Sequence, residues 1–377
     1  MADPTPFHLS LAIGPGVAVP VPQEVLDAVT GVTVTHASEG PNVFQLSFDI
    51  DTRSPLQTLF LLSGGATFPL MRVQVVVTVR GTPEVLMDGV MTNHQMSAGS
   101  EGGHARLTVT GEDMSRVMDY IDFSGIPYPA MPPEVRVLTI LAKYAVLGVV
   151  PLVIPSVLVD VPIPIDRIPV QQGKDLAYVR RLAEEVGYVF HVEPGPEPGM
   201  STAYWGPELK VGVPQPALTV DMDMHTNVQS FSPTFNGEGK TLPILVIQEP
   251  NTKVPIPIPI PDITPLNPPL GAIPPLPKQV EWISGPAKYG PIRAALIGLA
   301  KAAKTADVVT ASGTLDVLRY GRPLKARRLV GVRGAGPAFD GLYYVKSVTS
   351  TIKRGSFTQS FSLGRNGLLS TVPTVAV

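Results

Sequence analysis

The sequence predicts a mainly β protein with α+β parts: two β-barrels, a small α+β domain, and a proline-rich and helical insertion. Apolar and polar residues alternate through residues 1–111 and again near the C-terminus, which is the spacing of half-buried strands. Helical spacing is concentrated between these two regions. The 42 prolines among 377 residues exclude long helices and central strands wherever they cluster. A chain of this length divides into several units.

The first domain, residues 1–111, is predicted to be a small barrel of antiparallel strands. In the stretch NVFQLSFDID, the apolar Phe44, Leu46 and Phe48 alternate with polar residues. The stretches RVQVVVTVRG and EVLMDGVMTNHQM are separated by Gly81-Thr82-Pro83, which is typical of a hairpin turn. A last strand, HARLTVTG, completes the predicted set.

Residues 112–213 are predicted to form an α+β domain. A helix is expected directly after Glu112 and Asp113, and another between the prolines at 132–133 and Gly148. A third helix ends at Gly187, a good C-cap, and YVFHVE then follows as a strand. The expected buried stripes are Val135, Leu138, Ile140 and Leu141 in the second helix, and Leu176, Val179, Leu182 and Val186 in the third.

The second barrel is predicted to be split between residues 214–240 and 308–368. It ends in a hairpin that turns at Lys353-Arg354-Gly355, after which Phe357, Gln359, Phe361 and Leu363 alternate with serine and threonine. The insertion, residues 241–307, contains the proline-rich stretch Val254–Pro277, predicted to be extended and of polyproline type, and a helix over Gly290–Asp307. Residues 369–377 form a C-terminal tail.

Composition and charge narrow the function classes. The chain has no cysteine, which excludes disulfides and thiolate sites and fits a reducing cytoplasm. We expect no signal peptide and no membrane anchor. A net charge of −2 argues against bulk nucleic-acid binding. The segment Arg319–Arg365 nevertheless carries +9, so it is either a solvated basic face or an interface with an acidic partner or an acidic part of another copy.

The sequence lacks a pattern typical of a catalytic, cofactor or metal site. Asp221, Asp223 and His225 would share one face of a strand, but such a face is more often solvated than metal-bound. Gly334 and Gly336 follow an apolar strand without the third glycine and helix that a dinucleotide loop needs. There is no G-x-S-x-G and no carboxylate pair with glycosidase spacing. We therefore predict no enzyme, no cofactor and no metal.

Two blocks of sequence carry a family resemblance. The stretch VQQGKDLAYVRRLAEEVGYVFHV, followed far downstream by the last ~55 residues, resembles the baseplate hub family of contractile phage tails, the late control gene D type, which is also the hub part of VgrG-like spike proteins. The residues that carry it are Gly173, Leu176, Leu182, Ala183, Glu184, Gly187, Asp316, Tyr320, Gly321, Val332, Arg333, Gly334, Ala335, Gly336, Asp340, Gly341, Tyr344, Val345, Gly355, Gln359, Phe361, Arg365 and Asn366.

The resemblance implies a structural role rather than catalysis. In this family the hub is a homotrimer whose chains each supply two barrels of the tail-tube fold, so that six barrels adapt a sixfold tail tube to a threefold spike around a central channel. The implied partners are the tail tube ring protein, a separate spike protein and other baseplate proteins, with nucleic acid only as a cargo in the channel. The implied location is the bacterial cytoplasm during assembly and then the baseplate of a phage tail or injection particle.

The resemblance also gives candidate interface residues: Arg327, Arg328, Arg333, Arg365 and Asn366 would lie in or near subunit or partner contacts. We further hypothesise that the proline-rich arm lies across a neighbouring protomer, because its isoleucines need cover. Two alternatives remain open at this point. One is a baseplate-associated enzyme that degrades the cell wall, and the other is a nucleic-acid-binding tail component that uses the basic 319–365 segment.

Overall fold

A computed structural model describes most of the chain, and its fold is mainly β, as predicted. The described residues are 7–50, 70–97, 105–156, 168–248, 254–261, 264–265, 267–283 and 291–372. Parts of the predicted first barrel and of the insertion, and most of the predicted tail, lie outside these ranges. Among the described residues, no helix is both long and apolar enough to cross a membrane.

The N-terminal region forms long antiparallel strands where the alternation predicted them. Its described elements are β1 (Phe7–Pro15), β2 (Val19–Pro20), α1 (Gln23–Asp27), β3 (Val29–Ala37), β4 (Val43–Ile50), β5 (Met71–Val79), β6 (Thr82–Ser97) and β7 (Ala105–Asp113). In β4 the side chains of Phe44, Leu46, Phe48 and Ile50 are all buried, so the alternating pattern places one face of the strand in the core.

The α+β region follows the first strands. It consists of a 3-10 helix (Met114–Asp119), α2 (Pro133–Ala142), a 3-10 turn (Ala145–Leu147), β8 (Val149–Val153), α3 (Asp175–Glu184), β9 (Val189–Pro194) and β10 (Ser201–Gly206). The strands form a three-stranded sheet in the order β8-β10-β9. Their core includes Trp205, Tyr178, Ile140, Leu141 and Val179.

Two helix predictions in this region need correction. The segment after Asp113 is a 3-10 helix, capped by the Asp113 carboxylate, which accepts a hydrogen bond from the Ser115 amide at 2.9 Å. In α2 the buried face contains Val137, Ile140 and Leu141, whereas Val135 and Leu138 are exposed. The stripe predicted for α3 is confirmed, since its four residues are all buried.

The remaining elements complete the second β region and the insertion. They are β11 (Gln215–Thr219), a 3-10 turn (Asp223–His225), β12 (Val228–Phe235), β13 (Thr241–Gln248), β14 (Pro255–Pro259), β15 (Gly271–Ile273), β16 (Gln279–Ile283), α4 (Pro291–Thr305), β17 (Val309–Asp316), α5 (Val317–Tyr320), β18 (Leu329–Arg333), β19 (Gly341–Lys353), β20 (Ser356–Arg365) and β21 (Leu368–Ser370).

The strand predicted to run through Asp221, Asp223 and His225 is interrupted. Asp221 and Asp223 adopt left-handed φ angles of 45° and 50°, which a regular strand does not allow. They lie in a tight connection between β11 and β12, so the three side chains do not share a strand face. Among the described residues, no group of histidine and acidic side chains could hold a metal ion.

One 13-stranded sheet runs through both β regions. Its main path is β12-β17-β20-β19-β3-β4-β7-β6-β5-β1-β2, and β18 and β11 branch from β19. The two regions are joined where β19 pairs antiparallel with β3, from Ser347↔Ala37 to Ile352↔Val32. Over the described strands this path is open at both ends, so closure into separate barrels stays a prediction.

The predicted C-terminal hairpin is confirmed. Strands β19 and β20 pair antiparallel and turn at Arg354-Gly355. Phe357, Gln359 and Phe361 are buried, together with Leu363, while the intervening serines and threonines are half-buried or exposed. The alternation therefore specifies the register of this hairpin, because a shift of one residue would expose its apolar face.

Part of the proline-rich stretch, Pro255–Pro259, is a paired edge strand rather than a segment of polyproline type. β14 pairs antiparallel with β13 in a sheet of order β14-β13-β16, and helix α4 packs on β13 through Leu245, Ile260 and Ala302. The Ile260 amide donates to the Pro243 carbonyl at 2.9 Å. Even-numbered residues of β14 therefore turn their amides toward β13, and the nitrogens of Pro255, Pro257 and Pro259 face away.

Candidate functional site: a hydroxyl-lined sheet face

One face of the long sheet carries mostly hydroxyl and amide side chains across eight adjacent strands. Residues paired directly across strands share a face, so the registers identify its members. They are Asn93, Gln95 and Ser97 of β6, Thr108 and Thr110 of β7, Gln45 and Ser47 of β4, Thr33 and Thr35 of β3, Ser347, Thr349 and Thr351 of β19, Thr358, Ser360 and Ser362 of β20, Thr310, Ser312 and Thr314 of β17, and Ser230, Ser232 and Thr234 of β12. We call this surface the hydroxyl face.

The hydroxyl face crosses the junction between the two β regions without interruption. Thr35 of β3 lies directly opposite Thr349 of β19, and their Oγ1 atoms are 3.0 Å apart, within hydrogen-bond distance. On the far side of β19, Thr349 lies opposite Ser360. The junction is therefore continuous both in backbone pairing and in side-chain chemistry.

The opposite face of the same strands is the apolar core. Val32, Val34, Phe48, Val109 and Phe361 belong to one buried cluster that also includes residues of β17 and β19. A strand with period-two alternation places its polar set on one side and its apolar set on the other. The hydroxyl face therefore lies on the outer side of the sheet, because the apolar residues of the same strands form the core.

Charged side chains lie mainly toward the ends of this face. Asp49 and Arg106 approach to 3.9 Å at one end, and both side chains are largely exposed, so this ion pair contributes little to stability. Glu112 and Asp316 add negative charge, and Lys353 lies at the hairpin turn. Since acidic and basic groups nearly balance, the middle of the face offers hydrogen bonds but little electrostatic attraction.

Arg327, a predicted interface residue, instead joins three parts of the chain. Its guanidinium Nη1 lies 3.6 Å from Oε1 of Glu193 on β9, and its Nη2 lies 3.5 Å from the Asn42 Oδ1 before β4. Asn42 in turn donates to the Val192 carbonyl at 2.7 Å. The Arg327 side chain is 8% exposed, so it acts inside this chain.

Arg327 lines a cavity of about 260 Å³. Glu193 and His36 line the same cavity, and the pKa values of both are shifted strongly. Burial raises the pKa of Glu193, but the hydrogen bond from His191 and the charges of His191 and Arg327 outweigh it and lower this pKa to about 2. Burial, with the Arg327 charge, lowers the pKa of His36 to about 4. Glu193 is therefore ionised and His36 neutral near pH 7.

Arg365 and Asn366 are also engaged within the chain. Arg365 is fully buried, donates to the Asp340 carbonyl at 2.8 Å and to the Ala338 carbonyl, and lies over the Tyr343 ring at 4.6 Å. The Asn366 Oδ1 accepts the amides of Leu270 at 2.8 Å and Gly271 at 3.3 Å. These bonds tie the end of β20 to the insertion.

The last two predicted interface residues are more accessible. Arg328 is exposed next to Arg327, and Arg333 is half-buried, with its Nε donating to Thr219 Oγ1 at 3.1 Å. The structure therefore does not gather the five predicted residues into one surface. A role for any of them in subunit contacts stays a prediction.

Comparison with solved structures identifies the fold. A tail protein from Neisseria meningitidis MC58 is similar over 96% of this chain and 98% of its own, with a TM-score of 0.62 and 14% identity. The 43 kDa tail protein of prophage MuSo2 from Shewanella oneidensis is similar over the same shares, with a TM-score of 0.61 and 15% identity. The protein has the fold of these phage tail proteins.

A similar fold occurs in a chain of a VgrG complex. A chain of the Francisella PdpA-VgrG complex matches over 98% of this chain and 60% of its own, with a TM-score of 0.59 and 9% identity. The resemblance to tail hub and VgrG-like proteins drawn from the sequence is therefore confirmed at the level of the fold. No protein-family model and no curated protein matches the sequence.

Sequence reasoning missed the hydroxyl face as a unit. It found the alternating serines and threonines of β20, but treated them as the solvent side of one hairpin. The missing information was the order of the strands, because only pairing shows that Thr33, Thr351 and Thr358 lie in one row. A search for alternating stretches whose polar positions are mainly serine and threonine would have flagged β3, β17, β19 and β20 together.

Proposed function

We propose that the chain is the structural hub subunit of a contractile tail or injection system, and that three copies adapt a sixfold tail tube to a threefold spike around a central channel. One observation carries the proposal: two β regions of a single chain are joined into one sheet, and one face of that sheet is mostly polar and nearly neutral. The fold shared with phage tail proteins supports it.

In this proposal, the two joined β regions of each chain explain how three copies can match a sixfold tail tube. If each region is one tube-like module, three chains present six modules, and a ring closes by rotation only when the contact surfaces repeat. The division that we propose is residues 1–111 for the first module, 112–213 for the α+β domain, 214–240 with 308–368 for the second module, 241–307 for the insertion and 369–377 for a tail. The tail tube ring protein, a separate spike protein and other baseplate proteins are the partners in this proposal.

The hydroxyl face is suited to line the channel. Hydroxyl and amide groups keep a passage wetted, while a row of lysines or arginines would hold a polyanion through counterion release. A nearly neutral lining lets nucleic acid or an extended polypeptide pass without a strong binding site. In this proposal the subunits assemble in the bacterial cytoplasm and then reside in the baseplate.

The contacts of the basic 319–365 segment favour this reading over a nucleic-acid-binding surface. Lys325 pairs with Glu84 at 2.6 Å and Lys346 pairs with Asp307 at 2.8 Å, while Arg365 is buried. Together with the pair of Arg327 and Glu193, acidic residues elsewhere in the same chain thus neutralise part of the excess charge. The predicted acidic partner of this segment is, in part, the chain itself.

The proposal is tested by measuring the mass of the purified chain, alone and with a candidate spike protein, by light scattering and native mass spectrometry. We expect a trimer, formed by the chain itself or on addition of the spike. Release of glycan fragments from purified cell wall, measured in parallel, tests the enzymatic alternative. A chain that stays monomeric in both conditions, or that degrades cell wall, would refute the hub proposal.

A further inference from the structure

We infer that the cavity beside Arg327 is a binding site for a small hydroxycarboxylate, a molecule that carries a hydroxyl group next to a carboxylate. Three parts of the chain line this cavity of about 260 Å³: β3 and β6 of the first β region, β9 and β10 of the α+β region, and the segment before β18. The site lies within one chain, so it is independent of the proposed hub function.

Arg327 gives the cavity a buried cation with an unused donor. Its side chain is 8% exposed, and its Nε has no hydrogen-bond partner among the described residues. Its Nη atoms lie 3.6 Å from Glu193 and 3.5 Å from Asn42, beyond the roughly 2.7–3.2 Å of good hydrogen bonds. A buried guanidinium with incomplete partners is costly, and a carboxylate can accept from Nε and Nη together.

His36 adds an unused acceptor. Its Nε2 is buried and has no hydrogen-bond partner among the residues that the structure describes. A hydrogen bond with the Leu86 backbone raises the pKa of His36, which indicates that the other ring nitrogen, Nδ1, donates to a carbonyl. Burial and the Arg327 charge nevertheless hold this pKa at about 4, so the ring is neutral near pH 7. In that tautomer Nε2 is an acceptor, and a hydroxyl group is a suitable donor for it.

The two side-chain amides of the cavity are already bonded within the chain. The Gln359 Oε1 accepts the Leu324 amide at 2.7 Å, and the Gln359 Nε2 donates to the Leu324 carbonyl at 3.1 Å. The Asn42 Nδ2 donates to the Val192 carbonyl at 2.7 Å. A ligand therefore gains most where it meets Arg327 and His36, which requires an acceptor and a donor in the same molecule.

The charged lining residues favour a ligand with a single negative charge. They are three cations and two carboxylates: Lys325, Arg327, Arg328, Glu84 and Glu193. With the His36 ring neutral, the lining has one positive charge in excess. The two carboxylates would repel a dianion such as phosphate more strongly than a monoanion, so a monocarboxylate is the better match.

The cavity admits a small molecule from solvent. Arg328 and Pro196 of its lining are exposed, and the Lys325 side chain is 44% exposed, so the cavity opens at the surface. Its volume lies just below the roughly 300–1,000 Å³ of typical ligand pockets, which suits a ligand of a few heavy atoms rather than a nucleotide.

Ligand-detected NMR on the full-length chain tests the site with three matched probes. Lactate has both the carboxylate and the hydroxyl, propionate has only the carboxylate, and lactamide has the hydroxyl beside an uncharged amide. We expect lactate to bind about tenfold more tightly than propionate, because propionate leaves the His36 Nε2 without a donor. Lactamide, which offers Arg327 no charge, should show no measurable binding.

Two substitutions assign the interactions to their residues. His36→Phe removes the Nε2 acceptor, so lactate and propionate should bind this variant equally. Arg327→Lys keeps a positive charge but removes the Nε–Nη fork, and it should weaken binding of both carboxylates by about tenfold. Arg319→Lys, at an exposed position of α5 outside the cavity, is the matched control and should leave binding unchanged.

A third variant guards against loss of the fold, because Arg327 also joins three parts of the chain. Thr202→Phe fills the cavity from β10 and leaves both Arg327 and His36 in place. We expect it to abolish lactate binding. Thermal unfolding of each variant, compared with the unchanged chain, shows that loss of binding is not loss of structure.

The outcomes decide the inference separately from the hub proposal. Absence of lactate binding would overturn it and indicate that the cavity holds solvent only. Equal affinity of the unchanged chain for lactate and propionate, or undiminished binding to Thr202→Phe, would also overturn it. Binding of a capped aspartate peptide without binding of lactate would overturn the assignment to a free ligand and indicate an acidic side chain of a partner. None of these results depends on whether the chain is a trimer.

Discussion

At the scale of single residues, buried arginines hold this fold together. The Arg365 guanidinium spans two backbone carbonyls and the Tyr343 ring, and burial lowers its pKa without neutralising it. Arg327 connects β9 with the loop before β4 and the segment before β18. Both residues were predicted to lie in or near subunit or partner contacts, and that role stays a prediction beside the bonds they make within the chain.

Replacing Arg365 with methionine tests its structural role. Arg365→Met removes the donors to the Ala338 and Asp340 carbonyls and leaves them buried without those partners. We expect the free energy of unfolding to fall by about 2–4 kcal/mol, measured by urea denaturation. Arg328→Met, at an exposed position, is the matched control and should change stability by less than about 0.5 kcal/mol. Equal effects of the two substitutions would contradict the internal role of Arg365.

Sequence spacing could predict which residues of a strand share a face, but not which charges are buried. The alternation of Phe357 and Phe361 with serines directly specified the buried side of β20. Nothing adjacent to Arg365 indicates burial, because its partners are carbonyls at Ala338 and Asp340 and a ring at Tyr343, brought together by folding. The five basic and amide candidates were assigned to an interface on the family resemblance, and that assignment stays a prediction.

At the scale of elements, the insertion is a small unit secured to the C-terminal hairpin. Its sheet is covered on one side by α4, and β15 pairs with β21. Asn366 is the side chain that completes this attachment, since it accepts the amides of Leu270 and Gly271. Whether the arm also lies across a neighbouring protomer stays a prediction.

Replacing Asn366 with alanine should loosen the insertion without unfolding the main sheet. Loss of one buried acceptor for two amides costs about 1–3 kcal/mol. We expect Asn366→Ala to increase the rate of proteolytic cleavage near residues 268–277, identified by mass spectrometry, while the hairpin stays protected. Asn236→Ala, which removes only a local hydrogen bond to Glu238 in an exposed loop, is the control. Unchanged cleavage in Asn366→Ala would show that β15-β21 pairing alone holds the arm.

Elements with strong local signals were predicted well, and elements that depend on pairing were not. The prolines at 132–133 marked the start of α2, and Gly148 lies beyond its end. The apolar stripe that begins at Leu176 located α3. The proline-rich stretch was predicted to be an extended segment of polyproline type, because proline cannot form a paired central strand. It pairs nonetheless, since every second residue is an isoleucine with an amide free to bond β13.

At the scale of the whole molecule, the joining of two β regions into one sheet dominates the architecture. The contact between β3 and β19 links residues more than 300 positions apart, as in the hydrogen bond between Thr35 and Thr349. No local pattern encodes such a partner choice, so the two regions could be predicted from the sequence but their junction could not. The continuity of the hydroxyl face follows from that junction.

Under the proposed hub function, adding charge to the hydroxyl face should impair the passage of cargo through the channel without impairing folding. Ser312→Lys with Ser360→Lys adds cations at exposed positions of β17 and β20, each attracting a polyanion at contact by about 1 kcal/mol in water. For a polyanionic cargo, we expect assembled particles whose delivery falls by about tenfold. Gln23→Lys with Gln172→Lys, exposed but outside the face, is the control. Normal delivery by the hydroxyl-face variant would argue that this face does not line the passage.

The outward-facing prolines of β14 have a consequence for self-association in a crowded cell. That rim presents carbonyl oxygens but no amide hydrogens at Pro255, Pro257 and Pro259, so a second strand cannot exchange reciprocal bonds with it. The rim of β12 is interrupted by proline only at position 233. The edge of β14 therefore cannot form a regular ladder with a second strand, whereas the edge of β12 keeps amides that can pair. Aggregation through the strands of the insertion is disfavoured even before the particle assembles.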